Sequence, residues 1–185
     1  AALSAIIQHA TGQPHHHSDR VAEYTKLVTE RMELSSAEIT HCYLSALLHE
    51  IGLIKEVSDP KKKPIHLRGS QIRLAPSANA EGGATIIGQI RRFRPLVDII
   101  RHQDENFNGT GHPDHLAGEE IPLGSRILRV IKNYEFFVSN CHNSARLKPS
   151  SARFFLEQQS GILYDPKVVH HFFEVLKYNV DNSDV

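Results

Sequence analysis

Residues 108–128 read NGTGHPDHLAGEEIPLGSRIL, a glycine-rich loop that runs into an apolar helix. Gly109 and Gly111 suit backbone conformations that other residues resist, and Pro122 fixes φ where the next helix begins. Beyond it Leu123, Ile127, Val130, Ile131 and Tyr134 recur at helical spacing, which predicts a long helix with one apolar face. The loop over 106–122 is predicted to be ordered, with His112 exposed near its tip.

Outward from this loop, helical periodicity fills most of the chain. Val21, Tyr24, Leu27, Val28 and Met32 predict a helix from about His17 to Leu34. Ser35 followed by Glu38 forms a capping-box pattern that opens a second helix, carrying Ile39, Cys42, Ala46, Leu47 and Leu48 and ending near Gly52. From Leu53 to about Ala78, Pro60, Pro64, Pro76 and the run Lys61, Lys62, Lys63 predict an irregular connection long enough to act as a lid. A third helix is predicted over roughly 81–93. A fourth opens with Pro95 at its first position and runs to about Glu105. After the long helix come one over about 151–161 and one capped by Asp165, with Pro166 in its first turn. There is no internal repeat and no alternating apolar pattern of useful length. The expectation is an all-α bundle of seven or eight helices forming one domain over 1–185.

Composition excludes several classes of function. Lys and Arg total 21, as do Asp and Glu, so no global field holds DNA, RNA or an anionic membrane. No window approaches the roughly eighteen consecutive apolar residues of a membrane span. Cys42 and Cys141 lack metal-type spacing, which fits a reducing compartment, and a cytoplasmic location is expected. Histidine is abundant at 13 residues, with His15, His16 and His17 consecutive.

His49 and Glu50 are adjacent near the end of the second helix, and His17 heads the first. Helical neighbours point about a quarter turn apart, so both side chains reach one pocket at a helix end, where antiparallel packing brings His17. Two imidazoles and a carboxylate suit a divalent transition ion, although a His-Glu pair is as readily a hydrogen-bonded helix end. Arg91, Arg92, Arg94 and Arg101 read as a solvated face rather than a phosphate patch, and Lys61–Lys63 as exposed loop. His170 and His171 read as packing residues on a helix with Phe172, Phe173 and Leu176, and His15 and His16 as solvent-exposed.

Taken together, three segments resemble the HD-GYP family. In 108–128, Gly109, Gly111, Pro113, Asp114, Leu116, Gly118, Ile121, Pro122 and Arg126 match a loop that holds a Gly-Tyr-Pro tripeptide ahead of an Ile-Pro-Leu helix start. HSDRVAEYTKLV from His17 is similar to the family's His-x-x-Arg-Val helix, and ALLHEIGLI from Ala46 to its His-Asp-Ile-Gly-Lys element. The resemblance runs from about residue 3 to the helix start at Tyr164–Pro166. It implies a metal-dependent cyclic di-GMP phosphodiesterase fold, with two or three ions held by His and Asp.

The departures bear on function. His17 and His49 match ligand positions, and Glu50 stands where a bridging Asp is implied. Leu53 replaces a phosphate-supporting Lys, Asn79 a His, Gln103 and Asp104 a His pair, and Lys132 an Asp. His112 replaces the tripeptide Tyr, and an Arg-Pro-Tyr-Arg phosphate contact is absent from 136–147. An ammonium about 4 Å from a divalent ion is repelled by about 8 kcal/mol at an effective dielectric near 20. Lys132 is therefore expected within salt-bridge reach of Glu50 or Asp104, supplying the charge that metal would otherwise bring. His17, His49, Glu50 and Asp104 are expected to be vestigial ligands, with no cofactor, or else to hold a single Fe, Mn, Zn or Ni.

The reading carried forward is a non-catalytic signalling module, the output part of a longer protein. The resemblance implies signalling-protein partners, diguanylate cyclase domains among them, reached through a loop surface at Gly109, Gly111, His112, Pro113 and Arg126. It also implies a cyclic dinucleotide ligand and leaves homodimerisation open. The alternatives are a metal-dependent phosphohydrolase with an altered site and a purely structural helical module.

Overall fold

The computed structural model describes residues 16–53, 76–139 and 147–181. Seven α-helices occupy them: α1 (His17–Arg31), α2 (Ser36–Leu48), α3 (Pro76–Gly88), α4 (Val97–Arg101), α5 (Leu123–Ser139), α6 (Pro149–Gln158) and α7 (Pro166–Asp181), with 3-10 turns at Arg91–Leu96 and Gly118–Glu120. Among the described residues there is no strand, and three isolated bridges occur, including Asp104 with His112 and Asn108 with Ala117. The all-α expectation therefore holds. His15, Cys141, Lys61–Lys63, Pro60, Pro64 and most of the expected lid lie outside the described residues.

Local chemistry sets the helix starts. Ser35 Oγ accepts from Glu38 N at 3.3 Å while Ser35 N donates to Glu38 Oε2 at 2.9 Å, the reciprocal box predicted for α2. Asp165 Oδ1 accepts from Lys167 N at 2.8 Å at the head of α7. Two helices differ from expectation in their boundaries. α3 spans Pro76–Gly88 rather than 81–93, because its glycines lie against Gly52: a Cβ on Gly52 would meet Asn79 O at 2.0 Å and Gly83 N at 2.7 Å. Backbone approach that close outweighs the weak helical propensity of Gly82 and Gly83. Pro95 sits inside a 3-10 turn instead of opening a helix, and α4 ends at Arg101, after which Asp104 O accepts from His112 N at 3.3 Å.

The main core joins Val21, Ala22 and Val28 of α1 to Ile127, Val130, Ile131 and Tyr134 of α5 and Phe172 of α7. Tyr24, Tyr134 and Phe172 meet edge to face at 5.1–6.3 Å between ring centres. A second cluster, Leu48, Ile51, Ile87, Leu96 and Ile100, fills the space between the end of α2, α3 and α4. The site residues belong to chain segments that knit these clusters together. His49 and Glu50 lie between Leu48 and Ile51, His17 is one turn before Val21, and Lys132 follows Ile131.

Candidate metal centre

His17, His49 and Glu50 are buried, and their ligand atoms all lie within 4.8 Å of one another, as the sequence predicts. His17 comes from the first turn of α1, and the other two from the turn that ends α2. His49 Nδ1 is 2.7 Å from the carbonyl of Ala46. A carbonyl only accepts, so Nδ1 carries the proton and Nε2 presents its lone pair to the pocket. That Nε2 stands 4.0 Å from Glu50 Oε1, close to the span of two ligands on one ion with bonds of about 2.0–2.2 Å. Burial is the largest influence on both imidazoles. It lowers His17 to about 4, with Arg20 and Lys132 adding to the effect, and holds His49 well below the usual range. Burial also pushes Glu50 up to about 7, against the hydrogen bond from Ser18 Oγ at 3.4 Å and the charge of Lys132. Two neutral imidazoles and a carboxylate that ionises near neutrality are the right donors for one borderline divalent ion. The cluster thus favours the single-ion alternative over the expectation of no cofactor.

The other expected positions do something different. Asp104 is buried but lies outside the three-residue cluster, where Lys132 Nζ approaches its Oδ1 at 2.5 Å and Arg129 Nη1 at 3.3 Å. Lys132 pairs with Asp104 and makes no hydrogen bond to Glu50 among the described residues. Burial lowers the Lys132 pKa, and the adjacent Asp104 carboxylate works against that shift. Gln103, fully buried, accepts from Lys132 Nζ at 3.1 Å and donates to the carbonyl of His49 at 3.0 Å. Asn79 Nδ2 donates to the same carbonyl at 3.1 Å, and its Oδ1 is buried without a partner. Leu53 is buried and apolar. The donors that a second ion needs are thus committed to a carbonyl or to an ammonium. Among the described residues, His17, His49 and Glu50 form a donor set that fits one ion.

In the loop over 106–122 His112 is exposed, as predicted. Gly109 has φ +80° and requires glycine. Gly111 is fixed by contact, since a Cβ there would meet Asn106 N at 2.1 Å and Glu105 Cα at 2.4 Å, both backbone. Gly111→Ala is expected to destabilise the fold by about 2–3 kcal/mol, measured by urea unfolding, because backbone must move. Arg126, expected on the loop surface, lies elsewhere. Its Nε donates to Ile121 O at 2.9 Å and its Nη1 to the buried Asp165 at 2.6 Å, which ties α5 to α7. Its role is packing two helix starts together. Sequence reasoning missed Arg129, Ser18 and Arg20, whose Nε holds the buried Glu135 at 2.7 Å. Arg126, Arg129 and Lys132 recur every third residue on this helix, a spacing that could have shown them as one basic row.

With this geometry in place, the comparisons assign the class. A family model described as HD domain matches residues 1–168, and the chain belongs to the HD-domain family. It is 28% identical over 169 residues to the cyclic di-GMP phosphodiesterase response regulator RpfG of Xanthomonas campestris, covering 90% of this chain and 44% of that protein. It is 28% identical to the 3'3'-cGAMP-specific phosphodiesterase 3 of Vibrio cholerae (82% of this chain, 33% of that protein). A cyclic di-GMP phosphodiesterase of Thermotoga maritima is 26% identical (97% and 49%). Two solved structures share the fold. A cyclic GMP-AMP-specific phosphodiesterase of Vibrio cholerae matches with TM-score 0.71 at 20% identity (94% of this chain, 48% of that one). The HDG"Y"P protein Bd1817 of Bdellovibrio bacteriovorus matches with TM-score 0.66 at 18% identity (88% and 52%). The chain spans less than half the length of these three curated relatives. No helix among the described residues is long and apolar enough to cross a membrane.

Proposed function

We propose that this chain is a signalling domain of the HD-GYP type that holds one divalent ion and binds a cyclic dinucleotide or protein partners without efficient hydrolysis. The carrying observation is Lys132, whose ammonium sits on Asp104 and Gln103 where a second ion would need its ligands. His17, His49 and Glu50 hold the single ion, which supplies positive charge toward an anionic ligand. Asn79 and Gln103 orient the His49 segment through its carbonyl. Attack on a phosphodiester near neutral pH is served by two cations acting on nucleophile and leaving group, and among the described residues this site offers one such position. The exposed loop around His112 is the surface offered to protein partners, diguanylate cyclase domains among the candidates, within a cytoplasmic signalling protein longer than this chain.

A mononuclear phosphohydrolase is the second reading, favoured by the intact His17–His49–Glu50 cluster. Elemental analysis of untagged protein, paired with cyclic di-GMP binding and turnover, separates the two. About one ion per chain, with binding and no steady turnover, is expected. Two ions at full occupancy with turnover that disappears in His49→Ala would overturn the non-catalytic reading, and one ion with turnover would establish the second.

A further inference from the structure

Away from the buried pocket, the loop over 106–122 presents another pair of metal-type ligands. His112 and His115 are both exposed, with ring centres 4.9 Å apart and planes tilted by 65°. Among the described residues neither imidazole has a hydrogen-bond partner. The side chains around them are committed to each other. Asp114 accepts from Arg101 Nε and Nη2 at 2.8 Å and lies 2.9 Å from His102 Nε2. Asn106 Nδ2 donates to Thr110 Oγ1, and Thr110 Oγ1 donates to Asn108 Oδ1. The backbone is also held without the imidazoles' help, by Gly118 N on Phe107 O at 2.8 Å and Asp114 N on Glu105 Oε1 at 2.7 Å. His115 has φ +57°, in the left-handed region that histidine enters more readily than most non-glycine residues.

We propose that His112 and His115 form a surface chelate for one borderline divalent transition ion such as Zn²⁺, Ni²⁺ or Cu²⁺, independent of the buried pocket. With metal–nitrogen bonds of about 2.0–2.1 Å, two imidazoles sharing one tetrahedral ion have ring centres about 5 Å apart, the separation seen here. Imidazole donors select this class of ion over Mg²⁺ or Ca²⁺. The neighbouring carboxylate, Asp114, already faces Arg101 and His102, so nitrogen coordination and not charge drives binding. Two protein ligands leave the outward positions to water, or to a side chain of another molecule docked on the loop.

Paramagnetic broadening by substoichiometric Cu²⁺ on the ¹⁵N-labelled chain tests this. His49→Ala removes the buried competitor, and wild-type chain preloaded with one equivalent of Zn²⁺ serves as a second background. Broadening centred on 109–118 is expected in both, with loss of the effect in His112→Ala/His115→Ala. His115→Gly relieves the backbone conformation while removing one ligand, so its Zn²⁺ affinity at this site, read by calorimetry, is expected to fall at least tenfold while the loop's amide shifts stay in place. Broadening that is as strong at His16, His170 or His171, or that survives the double substitution, overturns the proposal. The buried-site reading is tested separately by elemental analysis of the His112→Ala/His115→Ala variant, whose ion count reports His17, His49 and Glu50 without the surface pair.

Discussion

Lys132→Ala is expected to lower the unfolding free energy by about 3 kcal/mol, the lower end of the range for breaking a buried ion pair from one side. The substitution removes the donor at 2.5 Å from Asp104 and at 3.1 Å from Gln103. It leaves Asp104 in a buried position with Arg129 at 3.3 Å as its remaining ion-pair partner, which keeps the loss from being larger. The variant also reopens a position flanked by Asp104 and Glu50, so added Mn²⁺ or Zn²⁺ should raise its unfolding midpoint more than it raises that of the wild type. Elemental analysis should move from about one ion per chain toward two. Lys132→Met separates charge from volume, since it fills similar space without the ammonium. A Met variant as destabilised as the Ala variant assigns the loss to the uncompensated carboxylate. A loss below about 1 kcal/mol in Lys132→Ala would remove the ammonium from any part in holding the pocket.

The pairing of Lys132 was legible once the resemblance was in hand, because the residue stands where an Asp ligand is implied and an ammonium there repels a divalent ion and attracts a carboxylate. Which carboxylate was not legible. Glu50 and Asp104 stood equal in sequence, and the choice came from tertiary geometry, with Gln103 bridging Lys132 to the carbonyl of His49. The His17–His49–Glu50 cluster was readable because two helix ends fix it, and α1 and α2 were bounded by a strong cap at Ser35 and a clear apolar stripe. The α3–α4 region misled for the opposite reason. The glycines of α3 lie against Gly52, and Leu96 of the 3-10 turn belongs to the buried cluster with Ile87 and Ile100, contacts that no local pattern announces. Arg126 matched the loop motif in sequence, yet its guanidinium lies on Asp165, 39 residues away. A motif position reports shared backbone before it reports shared chemistry.

The pH dependence of ion binding is expected to carry the signature of Glu50 and not of the histidines. In the folded chain His17 stays neutral down to about pH 4, and His49 is likewise held neutral by burial, so neither competes with a cation above that. Glu50 is protonated up to about pH 7. Affinity for a divalent ion should therefore rise about tenfold per pH unit from roughly pH 5 to 7, with one proton released per ion bound, and level off above 7. The ion-free protein carries the matching stability terms. The depressed His17 pKa contributes stability above pH 6.5 that is lost as pH falls toward 4. The raised Glu50 pKa contributes stability below pH 4.5 that is lost as pH rises to about 7. Each is worth about 3 kcal/mol at roughly 1.4 kcal/mol per pH unit. Glu50→Gln removes the second loss, so its ion-free form should be more stable than wild type at pH 8 while its affinity for Zn²⁺ becomes weak and nearly flat from pH 5 to 8. Calorimetry in two buffers of different ionisation enthalpy counts the protons released. Two protons per ion at pH 6 would place the histidines in their charged form, contrary to their burial, and would sink the assignment of the pH dependence to Glu50.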